Sequence, residues 1–180
     1  NQLPIDAHST KDLVTFTEYY KRDTFLPDNQ LPYSKKSYSI DKFTKANKYK
    51  IIKLYWKGGQ CPDHCNKNTL RLEINSKRSK YINKLEVFNI GDLLTIKSYE
   101  KMKTELLEII DHLLILDHNT NSKNLNIREA LKLKEYLNTH TWYISLQKER
   151  TAFNNKKNRY YKLLDKTGFN VRDELKKNIE

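Results

Sequence analysis

The apolar residues of this chain change their period in mid-sequence, and that change limits the fold more than any other feature. Between residues 48 and 74 they follow the two-residue repeat of a strand. Lys48-Tyr-Lys-Ile-Ile-Lys-Leu-Tyr-Trp-Lys57 is rich in β-branched and aromatic residues. Thr69-Leu-Arg-Leu-Glu-Ile74 alternates, with Leu70, Leu72 and Ile74 on one face and Arg71 and Glu73 on the other. The two read as a strand pair whose connection, Gly58 to Asn68, has the turn chemistry of a long hairpin loop. From Ser76 onward the spacing is helical, and with only 4 Gly and 4 Pro in the chain long helices meet few interruptions.

Five helical stretches follow. Ser76 to Leu85 is short and basic. Ser98 can cap a longer helix in which Tyr99, Met102, Leu106, Ile109 and Leu113 recur at three- and four-residue intervals, which predicts a core-facing stripe along most of its length. Asn126 and Glu129 have the spacing of a capping box opening a helix that runs to about Leu137. Ser145 to Lys166 reads as one long helix closed by Gly168, with a last short helix over Arg172 to Ile179. Residues 1–47 are polar and irregular, punctuated by Pro4, Pro27 and Pro32. Their one apolar-aromatic run, Leu13 to Tyr20, reads as a strand or a helical turn.

The fold class expected is therefore α+β. A small antiparallel β-sheet segment with helices (48–116) precedes an all-helical, helix-turn-helix-like segment (126–180), with 117–125, rich in Asn and lacking an apolar residue until Leu125, as linker. Residues 1–47 are expected to be an N-terminal arm or the remnant of an upstream domain. The opening Asn1-Gln2-Leu3-Pro4 has no initiator Met and no signal segment, as in a piece of something longer. The two cysteines, Cys61 and Cys65, cannot staple 180 residues, which fits a reducing cytoplasm better than a secreted scaffold. No stretch approaches the roughly 18 apolar residues of a membrane span, so a membrane is not an expected partner.

A net charge of +12 points to a polyanion. Lysines gather between Lys35 and Lys57, with Tyr38, Tyr49, Tyr55 and Trp56 interleaved. Lys48, Lys50, Lys53 and Trp56 are the candidates there for nucleic-acid contact, joined by Lys77, Arg78 and Lys80 of the short basic helix. Lysine attracts phosphate without regard to sequence and aromatic faces stack unpaired bases, a combination suited to DNA with single-stranded character. The alternative is a solvated strand face with ordinary core aromatics. A second cluster, which includes Arg150, Lys156, Lys157, Arg159 and Lys162, lies on the long C-terminal helix. There it reads either as a recognition helix for the major groove or as a basic amphipathic helix packed on its neighbours.

Complete catalytic signatures are missing. Cys61, His64 and Cys65 are too few to hold structural zinc, which needs four ligands, and no metal site is assigned. Tyr55 stands out, because a tyrosine can attack a phosphodiester when a cation steadies the developing charge. Lys57, two residues on, is expected on the same side of the strand, and Arg71 with Glu73 share a face of the neighbouring one. Most strand tyrosines are structural, and spacing alone leaves that reading open.

The stretch Asn68 to Lys84, containing Leu70-Arg-Leu-Glu73, and the following Ile90-Gly-Asp-Leu-Leu94 resemble the Leu-Arg-Phe-Glu strand and basic Tyr-Leu-Lys helix of filamentous-phage gene II type replication initiators. Leu54-Tyr55-Trp56-Lys57 resembles the Tyr-x-Lys strand of that family. Phe153 and Asn158 to Val171 are similar to its terminal helix. Over residues 48 to 175 the order of the motifs is the same. The resemblance implies a rolling-circle initiator's C-terminal portion, with Tyr55 as nucleophile, Lys57 positioning phosphate, and Arg71 and Glu73 supporting the site. It also implies a divalent metal, Mg or Mn. The family's His-hydrophobic-His metal strand has no counterpart here, so either the metal ligands lie outside this chain or this relative does not nick DNA. The function expected is a DNA-binding replication initiator that in intact form is a single-strand endonuclease, with DNA and a second copy of the chain as partners. The alternative is a non-enzymatic DNA-binding accessory protein or repressor of a plasmid, phage or transposon.

Overall fold

The computed structural model describes residues 7–15, 17–19, 23–28, 33–39, 49–146 and 149–179. It is α+β, with a four-stranded antiparallel sheet, a two-stranded antiparallel sheet and a helical C-terminal part. Helix α1 (Ala7–Thr15) leads into strands β1 (Thr17–Tyr19), β2 (Asp23–Pro27) and β3 (Ser34–Ser39), so the expected arm contributes regular elements. It also contributes core, because Leu13 and Val14 of α1 are buried. Strand β4 (Lys50–Trp56) and strand β5 (Leu70–Ser76) form the expected hairpin, and the sheet runs β2-β3-β4-β5.

A helical turn, α2 (Lys57–Gln60), lies within the hairpin connection; after the hairpin come the short helix α3 (Ser79–Lys84), a 3-10 turn (Ile90–Leu94) and the long helix α4 (Ile96–His112). Thr95, not Ser98, caps α4 by accepting the Ser98 N–H. The apolar stripe is buried only in the second half of that helix, at Ile109 and Ile110, while Tyr99 is exposed. The helical spacing also runs past the true end of α4. Leu113 begins a strand, β6 (Leu113–Ile115), which pairs with β1 over Thr17↔Ile115 to Tyr19↔Leu113.

Strand β6 divides two cores. Its alternating side chains place Leu113 and Ile115 in an aliphatic cluster with Leu13, Val14, Ile52, Leu54, Leu70, Ile109 and Ile110. Leu114 and Leu116 enter the opposite cluster. That second core belongs to helices α5 (Ile127–Leu137), α6 (Thr139–Leu146) and α7 (Arg150–Thr167), and it is aromatic, built on Tyr136, Trp142, Phe153, Tyr160 and Tyr161. The capping box of Asn126 and Glu129 forms as the spacing predicts. The long helix expected from Ser145 is instead two, because the extended backbone of Glu149 (ψ 142) interrupts the helical path before Arg150. Gly168 closes α7 in the left-handed conformation at φ 85, where a side chain would be strained.

The hydroxyls of Tyr160 and Tyr161 serve the backbone of β6 in place of a further strand. Tyr161 Oη accepts the Ile115 N–H at 3.0 Å and donates to the Leu113 carbonyl at 3.0 Å. Tyr160 Oη accepts the Asp117 N–H at 3.2 Å and donates to the Ile115 carbonyl at 3.0 Å. Buried backbone groups that lacked these partners would each cost about 1–3 kcal/mol. Finally, helix α8 (Val171–Lys177) leaves the helical part and packs on α4, placing Val171 and Leu175 in the aliphatic core. The expected segments 48–116 and 126–180 therefore share a core.

Candidate functional site

Strand alternation sends Ile52, Leu54 and Trp56 of β4 toward the aliphatic core and leaves Lys53 and Tyr55 on the opposite face. Register then fixes their neighbours. Tyr55 lies opposite Ser34 of β3 and Arg71 of β5, and Lys53 lies opposite Lys36 and Glu73. The outer sheet face thus carries two rows, Ser34-Tyr55-Arg71 and Lys36-Lys53-Glu73.

Within it, Tyr55 Oη donates to Glu73 Oε1 at 2.5 Å and accepts from Arg71 Nη1 at 3.4 Å, while Arg71 and Glu73 form an ion pair at 3.6 Å. The guanidinium and the carboxylate reach solvent, with side chains 51% and 31% exposed. Burial of the ring and then the Glu73 carboxylate hold the Tyr55 phenol above its ordinary value, and the Arg71 guanidinium pulls it down. The phenol therefore rests protonated, against a carboxylate positioned to take its proton.

Lys57 is not on the strand. β4 ends at Trp56, and Lys57 opens α2, where its ammonium donates to Cys61 Sγ at 2.9 Å. The sulfur raises the ammonium's affinity for its proton, with a smaller contribution in the same direction from Tyr55. The turn exists because the loop folds back closely: a Cβ at Gly58 would lie 2.3 Å from the Lys67 carbonyl oxygen. Lys57 thus stays beside the Tyr55 face by a different route from the one strand spacing suggested.

Several expected nucleic-acid contacts are occupied elsewhere. Trp56 faces the core side, its indole N–H donating to the Lys67 carbonyl at 2.6 Å and its ring edge-on to Tyr33, so it is no free stacking platform. Lys50 pairs with the Glu105 carboxylate. Lys156 donates to the Thr141 carbonyl at 3.0 Å and to Ser145 Oγ at 2.9 Å, beneath the Trp142 ring. Lys157 is buried, 3% exposed, and donates to the Asp111 carbonyl at 2.7 Å. Burial, reinforced by Arg172, lowers its ammonium to about 8. It cannot meet a phosphate. Lys77, Arg78 and Lys80 are exposed, as are Arg150, Arg159 and Lys162 along α7, whereas Lys48 lies outside the described residues.

The divalent metal implied by the resemblance does not fit the side chains around Tyr55. Their donors are one carboxylate and one sulfur, set beside the two cations Arg71 and Lys57, which oppose a dication. Among the described residues no three His, Cys, Asp or Glu gather into a metal-binding group. No described helix is long and apolar enough to cross a membrane. Comparison with protein-family models, with curated proteins and with solved structures finds no match to this chain.

Proposed function

We propose that this chain is the DNA-binding part of a rolling-circle replication initiator that, in the intact protein, cleaves one strand at a specific site through Tyr55. The observation that carries the reading is the placement of the Tyr55 hydroxyl between a carboxylate that can accept its proton and a guanidinium open to solvent. A phosphodiester laid on this face meets Arg71, with Lys53 and Lys57 close by. Tyr55 Oη forms a bond to phosphorus as its proton passes to Glu73, and the bond from phosphorus to the 3′ oxygen breaks. That oxygen takes up a proton and leaves as a free 3′-hydroxyl, while the 5′ phosphate stays on the tyrosine. Arg71 opposes the charge that grows on the phosphoryl oxygens. The exposed cations Lys77, Arg78 and Lys80 and the outer face of α7 supply sequence-blind attraction for the rest of the strand.

A second reading, a DNA-binding protein without nicking activity, is favoured by the burial of Tyr55, only 6% of whose surface is exposed, and by the raised phenol. One experiment separates them. The full-length protein and its Tyr55→Phe variant are incubated with supercoiled origin DNA and Mn²⁺. The first reading expects nicking that falls to background in the variant while DNA affinity is retained. Equal nicking by both removes Tyr55 from the reaction, and binding without nicking by either favours the second reading.

A further inference from the structure

Seven large apolar side chains between Ile82 and Tyr99 are exposed, among them Phe88 (71%), Ile90 (83%), Leu94 (83%) and Ile96 (81%). Elsewhere on the described residues such side chains occur singly or in pairs, as at Ile127 with Leu131. A concentration of this kind is costly in water and marks a binding surface.

The patch is built rather than frayed. Asn89 and Asp92 form a capping box around the 3-10 turn, with the Asp92 carboxylate accepting the Phe88 and Asn89 N–H groups at 2.7 and 3.0 Å. Glu86 is held by Lys97 and Lys101, which ties the segment to the first turns of α4. A partner would therefore meet a surface whose ordering cost is already met.

Two features define that partner. Five of the seven side chains are aliphatic and present no π face, so stacked bases are a poor match and another polypeptide a good one. Around them the stretch from Lys77 to Lys103 holds seven Lys or Arg against three acids; Glu86 takes up Lys97 and Lys101, and Lys84 pairs with Glu105, which leaves Lys77, Arg78 and Lys80 exposed beside the patch. Its outward charge is positive, which opposes a second copy of this chain with its +12 and favours an acidic one. We infer that the surface formed by the 3-10 turn and the start of α4 docks an acidic peptide segment of another protein, with apolar side chains of that segment covering Ile90, Leu94 and Ile96.

The test uses the full chain and two fluorescein-labelled 18-residue peptides. Both carry Leu and Phe at helical spacing, with Glu at the remaining positions of one and Lys at those of the other. Fluorescence anisotropy should show saturable binding of the acidic peptide that weakens with salt, and affinity at least about tenfold lower for the Lys peptide. The Ile90→Ser/Leu94→Ser variant alters two exposed side chains and should keep the parent's melting temperature and DNA affinity while losing the acidic peptide by about tenfold or more. The inference is overturned if neither peptide binds, or if the variant binds the acidic peptide as the parent does. It is equally overturned if sedimentation shows a dimer that the variant abolishes, or if phosphatidylglycerol vesicles bind the patch and the peptide does not. This inference does not depend on Tyr55, so loss of nicking in Tyr55→Phe leaves it intact.

Discussion

The two cores on either side of β6 are held together by different physics. The aliphatic one, from Leu13 to Leu175, relies on non-directional burial of Leu, Ile and Val. The aromatic one joins burial to hydrogen bonds that fix orientation: Trp142 donates to the Tyr136 carbonyl, and Tyr160 and Tyr161 bridge backbone groups of β6. A core of the first kind tolerates changes of shape at similar volume, whereas the second also specifies where each ring must sit. The contrast extends to charge, because the aromatic side carries the buried Lys157 and two tyrosines whose phenols burial raises, Tyr161 to about 12.

The strongest way to break this comparison is to empty each core in turn. Trp142→Ala should cost about 3–5 kcal/mol and Leu54→Ala about 2–5 kcal/mol in chemical denaturation. Because β6 lines both cores, each variant should lower a single transition followed by far- and near-ultraviolet circular dichroism. Two separated transitions would mean that the cores stand independently.

A smaller effect sharpens the electrostatic half of the contrast. Lys157 is held at about 8 when folded, below its ordinary 10.5, so between those values the unfolded chain binds more protons and stability from this group rises with pH. Relative to the wild type, Lys157→Met should be more stable near neutrality, by a margin that shrinks on the order of 3 kcal/mol as pH climbs through that window. The buried tyrosines act oppositely above their ordinary value of 10.0, which is why the difference between the two proteins is the measurement to make. Parallel stability curves would refute the assignment. The most local change is Tyr161→Phe, which keeps the ring and strips the Ile115 N–H and Leu113 carbonyl of their shared partner, at about 1–3 kcal/mol for each group. Amide exchange at Ile115 should accelerate in that variant, and an unchanged rate would show that the hydroxyl is dispensable.

What could be read from sequence divides along the same line. The β4-β5 hairpin and the shared face of Arg71 and Glu73 follow from alternation, which assigns faces without knowledge of the rest of the fold, whereas their meeting with Tyr55 depends on the strand register. The Asn126 cap and the Gly168 stop are local chemistry within four residues. Leu113-Leu-Ile-Leu116 continues a helical apolar pattern, and only the pairing of Leu113–Ile115 with β1, from which the whole four-stranded sheet separates it in sequence, makes it a strand. Trp56 turns to the core side, and aromatic content alone does not decide which face a ring takes. Lys157 did leave a signal. It falls on the stripe Phe153, Lys157, Tyr160, Tyr161 and Leu164, so helical spacing places it inward even though its charge suggests the surface. Lys57 leaves the strand because β4 stops one residue earlier than its composition suggests.

The return of α8 to the aliphatic core has a consequence for synthesis. Leu13 and Val14 leave a ribosome well before Val171 and Leu175, and the cluster they join is unfinished until those two have emerged. While the residues between them are being made, the nascent polypeptide exposes an open oily seam, and chaperone engagement during that interval should matter more here than for a core closed by neighbouring residues.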